Sequence, residues 1–161
     1  MSENSLLDPS DIRVLRILQK DASQSIADIA KEAGMSQTPC WRRIKKLKET
    51  GVIKQTAALV DRDAVGLGFL AYAFVKLTIP SRENMETFDR LIGVWPEVVT
   101  CERITGAVDY LIKVVATDIK AYDDFLRLKL LDNALVSDVQ SRIVVSTIKE
   151  TVALPLKEFV G

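Results

Sequence analysis

The spacing of apolar residues changes at Gly51, and that change limits what the chain can fold into. Before it, apolar residues recur at intervals of three and four between residues that start and stop helices; after it, they alternate or run together as in strands. The chain therefore reads as a helical unit followed by a sheet-forming one.

In the helical part, Asp8 as N-cap and Pro9 at the first helical position open a helix to about Lys20, with Ile12, Leu15, Ile17 and Leu18 on its buried face. Ser25 caps a second helix carrying Ile26, Ile29, Ala30 and Ala33, which Gly34 ends. Ser36 caps a third, which Gly51 closes, and on it Cys40, Ile44 and Leu47 form the apolar stripe. Two capped helices meeting at so short a turn form the helix-turn-helix pattern, whose second helix enters the major groove of double-stranded DNA. Met1 to Leu7 reads as a frayed arm before this unit.

Composition enters through charge. Twenty-two Lys and Arg balance 22 Asp and Glu, so nucleic-acid binding has to rest on where the cations sit. They sit on the third helix: Arg42, Arg43, Lys45, Lys46 and Lys48, with Lys54 following and only Glu49 nearby in opposition. A basic run by itself is most simply a solvated face, and the helix-turn-helix context gives it another use. Adjacent helix residues diverge by about 100°, so Arg42 and Arg43 divide their tasks: Arg42 is the candidate for base edges and Arg43 for phosphate. Lys45, Lys46 and Lys48 fit phosphate neutralisation. Ser36, Gln37 and Thr38 at the helix start serve either as caps or as contacts to bases and phosphate. Trp41 is expected to pack against the first helix.

Beyond Gly51, Val52 to Val60 is rich in β-formers and reads as a strand that links the two parts, with a turn over Asp61 to Gly66. Phe69 to Ile79 is a largely apolar strand ended by Pro80; Ser81 caps a helix reaching about Trp95. Strands over Val98 to Ile104 and Tyr110 to Ala116 flank a turn at Gly106. Thr117 or Asp118 caps a helix with Ile119, Tyr122, Phe125, Leu126 and Leu130 inward, and Val139 to Thr147 is a last strand. The order strand, helix, strand, strand, helix, strand is the ferredoxin-like βαββαβ arrangement, so the fold class is α+β. Apolar residues on both faces of Leu111 to Val115 call for a second copy over the open sheet face. The resulting division is 1–52, 53–66 as linker, and 67–161.

With no histidine, no phosphate-binding glycine loop and no nucleophile beside a base, enzymatic function has little support. Cys40 and Cys101 have neither metal-ligand spacing nor the density of a disulfide framework, and no long apolar span or signal peptide is evident. No metal, cofactor or membrane partner is expected, and the compartment is expected to be the cytoplasm.

Met35-Ser-Gln-Thr-Pro-Cys-Trp-Arg-Arg-Ile-Lys-Lys-Leu with Gly51-Val-Ile, followed by Thr105-Gly-Ala-Val-Asp-Tyr-Leu, resembles the leucine-responsive and asparagine-type (Lrp/AsnC) family of transcription regulators over essentially the whole chain. The resemblance implies a winged-type helix-turn-helix domain, a strand linker and a ferredoxin-like domain for effector binding and oligomerisation. It further implies a sequence-specific DNA-binding regulator whose assembly or DNA affinity responds to a small amino acid. Homodimers assembling into larger rings, octamers in size, are part of that implication. The effector would lie at Thr105, Gly106, Ala107, Val108 and Asp109, opposite Ser137, Asp138, Val139 and Ser141 of a neighbouring subunit. Val108 stands where the family often has an aromatic residue. The chemistry agrees, since a free amino acid needs a carboxylate for its ammonium and N–H donors for its carboxylate. Without that context the same loop is a plain hairpin turn with Asp109 as a turn residue. The alternative function is an effector-independent, architectural DNA-binding protein of nucleoid type.

Overall fold

The computed structural model describes residues 7–156, so the arm expected over 1–7 lies, Leu7 apart, outside the described residues. The chain divides into two units, one running to Ala58 and resuming at Lys149, the other spanning Leu59–Ile148.

The helical unit holds α1 (Pro9–Lys20), α2 (Ile26–Glu32) and α3 (Gln37–Glu49). Asp8 caps α1 reciprocally: its carboxylate accepts from the Asp11 N–H at 2.8 Å, and the Asp11 carboxylate accepts from the Asp8 N–H at 3.2 Å. The Ser25 hydroxyl accepts from the Asp28 N–H and so caps α2. At the exit of α2, Gly34 takes a φ of 67°, which lets the Met35 N–H reach back to the Ala30 carbonyl at 2.9 Å and swings the chain directly into α3. Ser36 occupies the N-cap position of α3 with extended backbone, but its hydroxyl makes no cap hydrogen bond. Val14, Leu15, Ile17, Ile29, Ala30, Ala33, Cys40, Ile44 and Leu47 close into one core.

This unit is completed from a distant part of the chain. Leu156 packs against the helical core, and its carbonyl accepts from Arg16 Nε and Nη2 at 3.1 and 2.7 Å. Gln19 pairs with the backbone of Leu154 in both directions, Nε2 donating to the carbonyl at 3.2 Å and Oε1 accepting from the N–H at 2.6 Å. The sequence-based division gave these residues to the second domain. Such contacts leave no local periodicity, so only the folded chain reveals them.

The linking strand expected over 52–60 does not form: the segment is irregular, and Leu59 and Val60 are exposed. A strand needs a ladder to satisfy its backbone, and among the described residues none pairs with this segment. The turn at Asp61 is present, its carboxylate accepting from the N–H groups of Asp63 and Ala64.

The sheet unit contains β1 (Phe69–Leu77), α4 (Arg82–Ile92), β2 (Val98–Arg103), β3 (Tyr110–Ala116), α5 (Ile119–Phe125) and β4 (Val136–Ile143). All pairings are antiparallel in the order β2-β3-β1-β4, the ferredoxin-like sheet. Ala71, Ala73, Val75 and Leu77 of β1 and Tyr110, Ile112, Val114 and Ala116 of β3 face the same buried core as Phe88, Tyr122 and Phe125. On the other face, Phe74 lies opposite Leu111 and Tyr72 opposite Lys113, all half-buried. β4 starts and stops earlier than its residues suggest, because β1 gives it partners only from Leu77 back to Ala71. Ile119, expected inward, is 62% exposed at the start of α5. A π-helical turn, Leu126–Leu131, follows α5; it buries Leu130 and leaves Leu128 and Leu131 outside.

Candidate functional site

The helical and sheet units each carry one candidate site. On α3, Cys40, Ile44 and Leu47 face inward, which turns Thr38, Arg42, Lys45 and Glu49 outward and leaves Gln37, Lys46 and Lys48 exposed on the flanks. The cationic face expected from the sequence is thus assembled, with Arg42 near its centre.

Arg43 is placed differently from its neighbour. Its Nη1 donates to Asp8 Oδ2 at 2.5 Å and to Asp11 Oδ1 at 2.7 Å, joining the middle of α3 to the capped start of α1. Asp11 is only 3% exposed, so the guanidinium supplies the charge partner that a buried carboxylate requires. Partial burial works to raise the Asp8 carboxyl, but the hydrogen bonds from Arg43 and from the Asp11 N–H outweigh it and hold its pKa below the ordinary aspartate value. A second arginine braces the other end of the turn, Arg13 Nε donating to the Ala33 carbonyl at 3.2 Å.

Trp41 is not enclosed in the core: it is 51% exposed, with Lys45 Nζ 5.3 Å from its ring centre. Its place about a quarter turn away from Cys40 puts it at the margin of the apolar stripe. Cys40 is fully buried, and burial pushes its thiol pKa up, as befits a small hydrophobe.

In the sheet unit, Gly106 takes a φ of 128° in the loop joining β2 and β3. The loop closes where the Ile104 N–H donates to the Asp109 carbonyl at 3.0 Å and the Asp109 N–H to the Val75 carbonyl at 2.9 Å. One carboxylate oxygen of Asp109 accepts from the Leu77 N–H at 2.8 Å. Leu77 pairs across the sheet with Val136, at the irregular end of the β1–β4 ladder. The Gly106 loop and the start of β4 therefore meet the same end of β1. There, Ser137 Oγ donates to the Lys76 carbonyl at 3.1 Å, and Asp138 and Val139 lie opposite Lys76 and Val75. Ser141 lies further along, its hydroxyl 2.6 Å from the Tyr122 hydroxyl. Thr105, Gly106 and Ala107 are exposed, and Val108 is half-buried.

Sequence reasoning missed the group behind this loop. Arg103 forms an ion pair with Asp89 of α4, and the buried Tyr110 hydroxyl donates to Asp89 at 2.9 Å. Burial first, and then the Asp89 carboxylate, push the Tyr110 pKa up to about 12. The cluster fixes the flanks of the loop on β2 and β3 to α4; no short motif marks it, because Arg103 and Tyr110 lie 14 and 21 residues from Asp89.

Comparison with known proteins joins the two sites. Residues 70–154 match the model of the Lrp/AsnC ligand binding domain, and residues 7–54 match that of a winged helix-turn-helix DNA-binding domain. The chain belongs to the Lrp/AsnC family of transcriptional regulators. It is 38% identical to the transcriptional regulator AzlB of Bacillus subtilis over 95% of this chain and 98% of that one. It is 34% identical to the DNA-binding transcriptional activator DecR of Escherichia coli K12, over 94% of this chain and all of that one. Among solved structures, a regulator of Neisseria meningitidis in complex with L-Met superposes with a TM-score of 0.88 at 35% identity, covering 92% of this chain and 96% of that one. An AsnC family regulator of Agrobacterium tumefaciens gives 0.87 at 40% identity with the same coverage. As an Lrp/AsnC family member the protein is a DNA-binding transcriptional regulator rather than an enzyme, with α3 in its helix-turn-helix and the Gly106 loop in its ligand binding domain. No helix among the described residues is long and apolar enough to cross a membrane.

Proposed function

We propose that this Lrp/AsnC regulator binds a small free amino acid at the Gly106 loop and that the bound effector changes its assembly or its affinity for DNA. The observation that carries this reading is Asp109. Its carboxylate is fixed at the end of β1 by the Leu77 N–H, beside a glycine turn whose exposed backbone can meet a ligand carboxylate. The L-Met bound to the Neisseria relative supports an amino acid as the ligand class. Thr105, Gly106, Ala107, Val108 and Asp109 form one wall, and Ser137, Asp138, Val139 and Ser141 of a neighbouring copy form the other. A homodimer that builds larger rings, octamers in size, supplies that neighbour, with the half-buried Tyr72, Phe74 and Leu111 of the open sheet face against the second copy. On DNA, Arg42 reads bases with Gln37 and Thr38, while Ser36, Lys45, Lys46 and Lys48 hold the backbone. The setting is cytoplasmic, in keeping with two free cysteines.

A thermal-shift screen of the twenty amino acids tests the effector. At least one raises Tm, by an amount equivalent to about 2.7 kcal/mol at a hundred times its Kd. Asp109→Asn keeps an oxygen for the Leu77 N–H but removes the charge; it abolishes the shift and leaves the ligand-free Tm in place. If no amino acid shifts Tm or changes DNA affinity, the protein is instead an effector-independent architectural one.

A further inference from the structure

We infer that Trp41 is a sequence-reading residue, packing its indole against thymine methyl groups in the major groove beside Arg42. The inference rests on the reading of α3 as the DNA-contacting helix and goes beyond its cationic face.

Among the apolar side chains of α3, Cys40, Ile44 and Leu47 are buried, whereas Trp41 keeps half its surface in water. A large exposed indole is the kind of surface that gains most from a dry partner. Helical spacing puts Thr38 and Lys45 three residues before and four after it, on the same side of α3, with Arg42 next in line. The Lys45 ammonium rests 5.3 Å from the ring centre, so the indole is held against a cation suited to a phosphate. When that ammonium moves to a phosphate, the ring face it covered is freed next to the groove edge. In the major groove the apolar feature is the C5 methyl of thymine, and a flat aromatic surface matches it.

The test uses the full-length protein and a duplex that it enriches from a random-sequence pool, together with the same duplex carrying uracil in place of thymine. Trp41→Ala is expected to lower affinity for the enriched duplex about tenfold, with a loss of less than about twofold on random-sequence DNA. Uracil replacement is expected to weaken the wild-type protein about fivefold and to leave Trp41→Ala unchanged. Trp95→Phe leaves Trp41 as the sole tryptophan, and its emission is expected to shift on saturation with the enriched duplex. Should that variant misfold, the 19F resonance of 5-fluorotryptophan at position 41 in the wild-type chain, assigned with Trp41→Phe, gives the same readout. An unmoved Trp41 signal, equal losses on both DNAs, or indifference of the wild type to uracil would each overturn the assignment. Arg42→Ala and a variant with Arg42→Ala, Lys45→Gln and Lys46→Gln together are measured alongside: loss of binding there with Trp41 silent removes only this inference, whereas full binding by the triple variant removes the reading of α3 itself and the inference with it.

Discussion

Replacing Arg43 with alanine lowers the stability of the helical unit by about 3 kcal/mol, at the lower end for a broken buried pair because the guanidinium keeps some contact with water. The residue that suffers is Asp11, 3% exposed, which loses a charge partner 2.7 Å away while remaining enclosed between helices. In a unit of this size such a loss corresponds to a fall in Tm of roughly 15 °C, measurable by circular dichroism at neutral pH. Arg43→Lys retains the charge but not the reach and fixed orientation with which Nη1 bridges Asp8 and Asp11, so its Tm falls between the two. The pH dependence follows in sign. The folded pKa of Asp8 lies below its unfolded value, so this contribution is complete above the ordinary aspartate pKa and disappears as pH falls through the lower, folded one. The wild type loses this stability on acidification, and Arg43→Ala, lacking the pairing, shows a flatter acid limb. An unchanged Tm for Arg43→Ala, with DNA affinity lost, would return this arginine to the role of a phosphate contact.

Arg42→Ala gives the opposite separation, with Tm unchanged and DNA affinity reduced by about 1–3 kcal/mol, or roughly 5- to 150-fold. Arg42 is exposed, and its place on α3 directs it away from the core, so its removal breaks no ion pair found among the described residues. The loss should concentrate on particular base pairs, because a guanidinium that meets both acceptors of a guanine distinguishes that base from the others. Lys46→Gln, by contrast, should weaken binding to all sequences alike and reduce the slope of log K against log salt by about one. Fluorescence anisotropy over a salt series separates the two effects. If Arg42→Ala binds enriched and random DNA with unchanged affinity, Arg42 does not read the sequence.

The three helices were legible because each start and stop has a local chemical cause: Asp8 with Pro9, Ser25 with Gly34, and Gly51. The order of strands and helices was legible for the same reason. Direction at the margins of a helix was not. Arg43 and Trp41 flank the buried stripe of α3 on opposite sides, and residue type alone suggested a phosphate contact for the arginine and packing against the first helix for the tryptophan. In the fold the start of α1 brings two carboxylates to Arg43, and Trp41 keeps half its surface exposed. The segment 52–60 shows another limit: β-forming residues state a preference, and a ladder partner decides whether it is realised. At the ligand loop, Gly106 and Asp109 were visible as residue types, but the anchoring of Asp109 to Leu77 depends on strand register across 32 positions.

Arg16 and Gln19 belong to the helical unit, yet the backbone groups they hold follow them by 140 and 135 residues. During synthesis at about 5–20 residues per second, the interval between these halves of the unit is roughly 7 to 28 s. The whole sheet unit leaves the ribosome within that interval. The region that meets DNA is therefore begun before the sheet unit and closed after it, and a nascent chain interrupted before Leu154 carries all three helices without the clasp that closes over α1.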